Sequence, residues 1–273
     1  MSKKIKLLVL ISILSLLLFP SDVNAKTQEL AATSRSAILI DADTCEVYYE
    51  KNADERLAMA STTKIVTALT ALRFFDPDSE MTVPDCAVGT EGTSACLEAG
   101  ERYSLEELLY ALLLQSANDA AVTIAVGCCG STEGFAQLMN REAKLLGLTN
   151  TNFTNPHGLP SEAHYTTARE LALITRSALQ NELISKIVSS ETAVITSDTG
   201  KRRYFKNHNR LLSTYEGADG VKTGYTKTSG RCLVSSATRG SVRLIAVTLN
   251  SHNDWQEHTN MLDWCFERLS KQN

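Results

Sequence analysis

Ser61-Thr62-Thr63-Lys64, Ser116-Ala117-Asn118 and Lys222-Thr223-Gly224 occur in that order along the chain, and together they supply the parts of an acyl-transfer site. A serine hydroxyl is inert at neutral pH and needs a base. Lys64 serves as that base only when neutral, and burial near a second cation, Lys222, lowers a lysine pKa in the required direction. On a helix the i, i+3 spacing puts the Ser61 hydroxyl and the Lys64 amine on one side; Ile65, Ala68, Leu69 and Leu72 give that helix its apolar face. Ser61 then falls near the helix start, where free N–H groups and the dipole favour a developing oxyanion. Each motif alone is weak. An isolated S-x-x-K is more often a helix cap with a solvated lysine, and by composition S-x-x-K and S-x-N each arise about once by chance in such a chain, K-T-G roughly a tenth of a time. The conjunction and the order carry the weight.

The elements that must position these residues are visible in the periodicity. Ser36–Asp41 and Glu46–Glu50 form a predicted hairpin around Asp41 to Thr44. Ser104-x-x-Glu107 is a capping box before Leu108 to Leu114, Phe135 to Leu146 ends at Gly147 as a helix would, and Thr167-x-x-Glu170 opens a helix to Leu179. Strand character returns at Cys232 to Ala237 and Val242 to Leu249, and Asp254 to Leu269 is an amphipathic helix. Ser116-Ala117-Asn118 falls at a helix–loop–helix junction that presents polar side chains to a groove; the alternative for it is a plain N-cap. Lys222-Thr223-Gly224 follows a turn pair, Asp219-Gly220, and starts a predicted edge strand, with Gly224 leaving room for a substrate to approach the backbone. The sum is an α+β (mixed α/β) fold: an antiparallel sheet flanked by terminal helices, with an all-helical subdomain inserted at about 76–185 and the site in the groove between them.

Lys3, Lys4 and Lys6, the uncharged run Leu7 to Phe19, and Val23-Asn24-Ala25 make residues 1–25 a predicted signal peptide. Thirteen residues before Pro20 fall short of the roughly 20 that span a bilayer. The expected localisation is outside the cytoplasmic membrane, with an uncleaved signal as the alternative. Residues 26–273 then form one catalytic unit of 248 residues. The net charge is −4, and since the first 25 residues hold three Lys and one Asp it becomes −6 without them. That balance argues against nucleic acid and against a polybasic membrane patch. The seven cysteines match no zinc framework, so no metal and no cofactor are expected. Most cysteines are expected as reduced core residues, with Cys86 and Cys96 the candidate pair for a bridge.

The chain resembles the low-molecular-mass penicillin-binding proteins, specifically the serine-type D-Ala-D-Ala carboxypeptidases. Besides the three motifs, Ser34-Arg-Ser-Ala-Ile38, Asn155-Pro-His-Gly-Leu159, Lys222-Thr-Gly-Tyr-Thr226 and Asn253-Asp-Trp255 carry the resemblance. It implies a penicillin-binding-protein/β-lactamase-like fold and removal of the terminal D-Ala from peptidoglycan stem pentapeptides, with β-lactam antibiotics as further ligands. It also implies that Ser61 is the nucleophile and Lys64 its base, that Ser116 relays a proton, and that Asn118 holds Lys64 and the substrate amide. Lys222 and Thr223 would receive the terminal carboxylate, and the N–H groups of Ser61 and Tyr225 would form the oxyanion hole. Two departures stand out. Many relatives continue into a second domain and an anchoring helix, so attachment through the C-terminus is not expected here. Some place an arginine where this chain has His208, and Arg231 is the candidate substitute. The other readings are a class A-like β-lactamase, a DD-endopeptidase or transpeptidase, and a non-catalytic penicillin-binding receptor. For the β-lactamase, Glu170 resembles the water-activating glutamate, but Ile174 replaces the expected asparagine. His157, in a Pro-His-Gly turn, reads as structural.

Overall fold

Burial along the central strands is unbroken, which happens when both faces of a sheet are covered and in–out alternation loses its meaning. In the computed structural model, which describes Leu30 and residues 32–271, the chain runs β1 (Ser36–Asp41), β2 (Val47–Lys51), α1 (Lys64–Phe74), β3 (Glu80–Thr82), β4 (Arg102–Ser104), α2 (Leu105–Leu113), α3 (Asn118–Cys129), α4 (Thr132–Leu145), α5 (Ala168–Leu179), α6 (Glu182–Ser189), β5 (Thr192–Thr196), β6 (Arg202–Lys206), α7 (Leu211–Thr214), β7 (Ala218–Thr226), β8 (Gly230–Arg239), β9 (Val242–Ser251) and α8 (Asp254–Ser270). The predicted signal peptide lies outside the described residues. No helix among the described residues is long and apolar enough to cross a membrane.

Five strands make one antiparallel sheet in the order β2-β1-β9-β8-β7. Successive strand residues point to opposite faces. Ile38, Ile40, Val234, Ile245 and Val247 therefore look one way, into the core that includes Leu171, Ile174 and Ala178 of α5. The other face takes α8, whose buried His258 bonds the hydroxyls of Ser235 and Thr248. A mixed antiparallel-sheet and helix fold was the sequence expectation, and this is it. Helix α5, within the segment 76–185, packs against β1 and β9.

Helix α1 is the hub between sheet and helices: every residue from Lys64 to Ala71 is buried, with α2, α3, α4 and α5 around it. Local signals set the ends of its neighbours. Ser104 and Glu107 close a reciprocal capping box on α2, worth about 1 kcal/mol, and Thr167 accepts the Glu170 N–H at the start of α5. Past α4, Gly147 takes φ +76°, and the Leu148 N–H reaches the Ala143 carbonyl, as a Schellman ending requires.

Three features depart from the sequence expectation. Asp219-Gly220 is not a turn: β7 begins at Ala218 and the pair sits within it at a register shift. The Asp219 carboxylate is taken up by the hydroxyls of Ser236 and Thr238 and by Arg243, so cross-strand partners override the turn preference of the pair. Two small hairpins, β3–β4 and β5–β6, are absent from the sequence expectation; β3 and β4, of three residues each, are too short for alternation to stand out, and they lie within the segment 76–185 expected to be all-helical. All seven cysteines are unpaired, as expected for most of them, Cys86 and Cys96 included, but only Cys232 and Cys265 are the buried core residues anticipated.

Candidate active site

Ser61 sits in a 3-10 turn, Ala60–Thr63, that leads directly into α1. Ala60 holds φ +48°, a left-handed conformation that costs a non-glycine residue on the order of 1–2 kcal/mol. The turn is pinned on several sides. Thr62 donates its hydroxyl to the Met59 carbonyl and Thr63 its own to Ala60 O. His164 Nδ1 accepts the Thr154 N–H at 3.0 Å, so the proton lies on Nε2, which donates to Thr63 Oγ1 at 2.8 Å. Burial pushes the His164 pKa down to about 4, which keeps that tautomer neutral. Gly158, at φ +91°, abuts the turn so closely that a Cβ there would lie 2.0 Å from Ala60 O.

Lys64 is fully buried, and its amine meets three oxygens: Asn118 Oδ1 at 2.6 Å, the His157 carbonyl at 2.6 Å and Ser61 Oγ at 3.1 Å. Burial first, then the charge of Lys222, drives its pKa well below the ordinary lysine value, with Asp119 opposing. A neutral amine has two N–H donors and one lone pair. The carbonyls of Asn118 and His157 accept only, and they take both donors. The lone pair is left for the Ser61 O–H, which is the arrangement a general base requires. The Asn118 amide is itself oriented: Nδ2 donates to the Glu91 carbonyl at 2.5 Å, and its backbone N–H donates to Thr93 O. Gly92 passes close enough that a Cβ would sit 2.7 Å from Asn118 Nδ2.

Ser116 joins α2 to α3 with φ +62°, another left-handed non-glycine residue, and it lines the same cleft as Ser61. Asn118 is the first residue of α3, and the helix has no side-chain N-cap, so the plain capping alternative does not hold. The neighbouring Asp119 binds the loop instead, accepting from Ser94 Oγ, Ala95 N and Leu97 N.

Across the cleft, of about 320 Å³, stands the edge strand β7. Lys222 is buried and donates to Thr223 O at 2.9 Å; burial lowers its pKa to about 7. Thr223, Gly224 and Tyr225 line the cleft, Tyr225 with its side chain 65% exposed. Gly224 lines the cleft and has a second close neighbour. A Cβ there would meet Ser61 N at 3.0 Å, Ala60 Cβ at 3.1 Å and Met59 O at 3.2 Å, so its bareness lets the turn that carries Ser61 seat against β7. His208, Arg231, Asp254 and Trp255 complete the wall, and Arg231 pairs with Asp254 at 2.8 Å.

All eight residues singled out by sequence surround this cleft or the amine beneath it. Sequence reasoning missed the carbonyls of His157 and Glu91, since a backbone oxygen leaves no residue-type signature. The Asn155-Pro-His-Gly turn was the available signal: Asn155 Oδ1 accepts the Gly158 N–H at 2.7 Å, and that turn aims the carbonyl at Lys64. The His157 ring reads as expected. It is neutral, its pKa pushed down to about 3 by burial, and Nδ1 accepts the Leu159 N–H.

An antiparallel sheet bearing helices sets a serine and a buried lysine against a lysine-bearing edge strand, an arrangement able to support acyl transfer to a serine hydroxyl. Comparison with known proteins narrows this reading. A family model described as D-alanyl-D-alanine carboxypeptidase matches residues 22–253, and the chain belongs to that family. It is 38% identical over 258 residues to D-alanyl-D-alanine carboxypeptidase DacF of Bacillus subtilis, covering 92% of this chain and 66% of that protein. It is 36% identical over 220 residues to the D-alanyl-D-alanine carboxypeptidase of Streptomyces sp. strain K15, covering 74% and 76%. Among solved structures, the Streptomyces K15 DD-transpeptidase superposes with a TM-score of 0.81 at 32% identity, over 87% of this chain and 98% of that one. A D-alanyl-D-alanine carboxypeptidase from Mycobacterium tuberculosis H37Rv gives 0.83 at 31%, over 87% and 92%. The chain spans 66% of the length of the Bacillus subtilis relative and of Escherichia coli DacC.

Proposed function

We propose that the protein is an exported serine D-Ala-D-Ala carboxypeptidase that works through an acyl-enzyme on Ser61. The observation that carries this reading is the Lys64 amine, buried, lowered in pKa and with both N–H donors engaged, 3.1 Å from Ser61 Oγ. Ser61 Oγ attacks the carbonyl carbon of the penultimate D-Ala as Lys64 takes its proton. The oxyanion forms against the N–H groups of Ser61 and Tyr225. The C–N bond then breaks, and the leaving D-Ala amine takes a proton from Lys64 by way of Ser116. Water enters and gives a proton to Lys64 as its oxygen adds to the ester carbonyl; the bond to Ser61 Oγ breaks, Lys64 returns the proton to that oxygen, and the shortened peptide leaves. Lys222 and Thr223 hold the terminal carboxylate by charge-assisted hydrogen bonds. The substrate is the peptidoglycan stem peptide, with residues 1–25 as the export signal.

A β-lactam acylates the same serine, but its amine stays tethered after ring opening and blocks the water. Glu170 does not supply a β-lactamase-like base: it is buried, and its carboxylate is spent on the N–H groups of Thr149 and Asn150 and the Thr151 hydroxyl. Stopped-flow acylation and decay on a D-Ala-D-Ala peptide and on penicillin tests the proposal. Peptide turnover is expected to far outpace penicillin turnover, with the penicilloyl adduct lasting minutes or longer. Rapid multiple turnover of penicillin without release of D-Ala would establish the β-lactamase reading instead.

A further inference from the structure

From Arg202 to Arg210, exposed and buried positions alternate. Arg202, Tyr204, Lys206, His208 and Arg210 face solvent, while Arg203, Phe205, Asn207 and Asn209 are buried. Every exposed position is basic or aromatic, on a chain whose net charge is −4. Among the described residues, Arg202, Lys206 and Arg210 make no ion pair; Asp198, Glu98 and Glu101 pair with Arg102, Lys201 and Arg203, and Glu191, beside Thr192, is the one neighbouring acid of the hairpin without an ion pair.

The first half of this stripe belongs to the β5–β6 hairpin. Val194 lies directly opposite Tyr204, and Thr192 and Thr196 lie opposite Lys206 and Arg202, so these side chains share one face. That face is open to water, with Tyr204 69% and Val194 43% exposed, while Ile195 and Phe205 on the other face join the core. The Arg202 guanidinium lies over the Tyr204 ring, 5.3 Å from its centre. The second half enters the cleft. His208 lines it together with Ser61, and Arg210 lies over the ring of Trp255, another cleft residue.

We propose that this stripe is a binding surface for polymeric peptidoglycan: a glycan strand lies on the hairpin face while one of its stem peptides enters the cleft. The inference rests on the carboxypeptidase reading above and deepens it. The chemistry of the ligand matches the surface in two respects. Sugar rings present flat C–H faces, which stack on an exposed aromatic such as Tyr204. Stem peptides on the same strand end in carboxylates, which unpaired Arg202 and Lys206 attract. From Arg202 to His208 an extended chain covers about 20 Å, enough for several sugar rings and for a neighbouring peptide. The surface selects polymer over free peptide without touching the reacting atoms.

The test uses the triple variant Arg202→Glu, Tyr204→Ser, Lys206→Glu, all at exposed positions outside the catalytic machinery. On a soluble pentapeptide its kcat/KM should equal wild type. On purified sacculi stripped of anionic wall polymer, D-Ala release should fall roughly tenfold or more, because several weak surface interactions are removed at once. Co-sedimentation of the Ser61→Ala protein with the same sacculi should weaken in parallel, and should weaken with added salt. Equal release from sacculi by wild type and variant would overturn the proposal, as would wild-type sedimentation that requires the anionic wall polymer or transfers to anionic lipid vesicles. Failure of wild type to release D-Ala from either substrate would instead refute the carboxypeptidase reading.

Discussion

Lys222→Arg separates the two buried lysines by their opposite protonation demands. In the proposed reaction Lys64 must be neutral to accept the Ser61 proton, whereas Lys222 must be charged to hold a carboxylate. Burial lowers the Lys222 pKa to about 7, so in the free enzyme its charge is present below that pH and lost above it. With a pKa near 7, only about 1% of Lys222 stays charged at about pH 9, a loss of about 100-fold or 2.7 kcal/mol in carboxylate recognition. The kcat/KM of wild type for a D-Ala-D-Ala peptide should therefore fall on the alkaline side with a limb near pH 7. The kcat profile should lose that limb, because a bound carboxylate favours the charged form. Arginine never deprotonates in this range. Its larger head lowers the plateau in this tight site, but the alkaline limb of kcat/KM should vanish. Persistence of the limb in Lys222→Arg, with the same midpoint as wild type, would refute the assignment of that proton to Lys222.

Asn118→Ala removes one of the two acceptors that fix the Lys64 amine. Penicillin acylation should slow by about 10- to 100-fold, the consequence of leaving a buried donor unpaired, and a rate within twofold of wild type would mean Asn118 does not orient the base. Gly158→Ala places a Cβ 2.0 Å from Ala60 O at a φ of +91°. Thermal melting should fall by roughly 6–12 °C for a loss of about 3 kcal/mol, with Ser61 labelling lost alongside; an unchanged melt would contradict the packing described.

Where side-chain type and spacing carried the information, the sequence reading and the structure agree. The Ser104–Glu107 box caps α2, Thr167 caps α5, and the β8 and β9 runs pair as adjacent strands. Ser61 and Lys64 fall on one side of the α1 start because a helical i, i+3 spacing leaves no other choice. What stayed hidden lies in backbone atoms and in long-range pairing. The His157 and Glu91 carbonyls that set the Lys64–Asn118 geometry belong to residues whose side chains do other things. Asp219-Gly220 has turn chemistry in isolation, and only the distant hydroxyls of Ser236 and Thr238 hold it in a strand. Gly224 was legible as a place of close approach, yet the approach of the turn that carries Ser61 depends on how β7 meets residues 59–61.

The central claim is that Ser61, with Lys64 as its base, forms an acyl-enzyme from a peptide ending in D-Ala-D-Ala. Rapid acid quench during turnover of such a pentapeptide, followed by peptide mapping by mass spectrometry, tests it directly. The expected result is the acyl mass of the pentapeptide less its terminal D-Ala, confined to the fragment bearing Ser61, with free D-Ala released alongside and no adduct in Lys64→Ala. An adduct on another residue, or D-Ala released with no trapped acyl-enzyme, would contradict it.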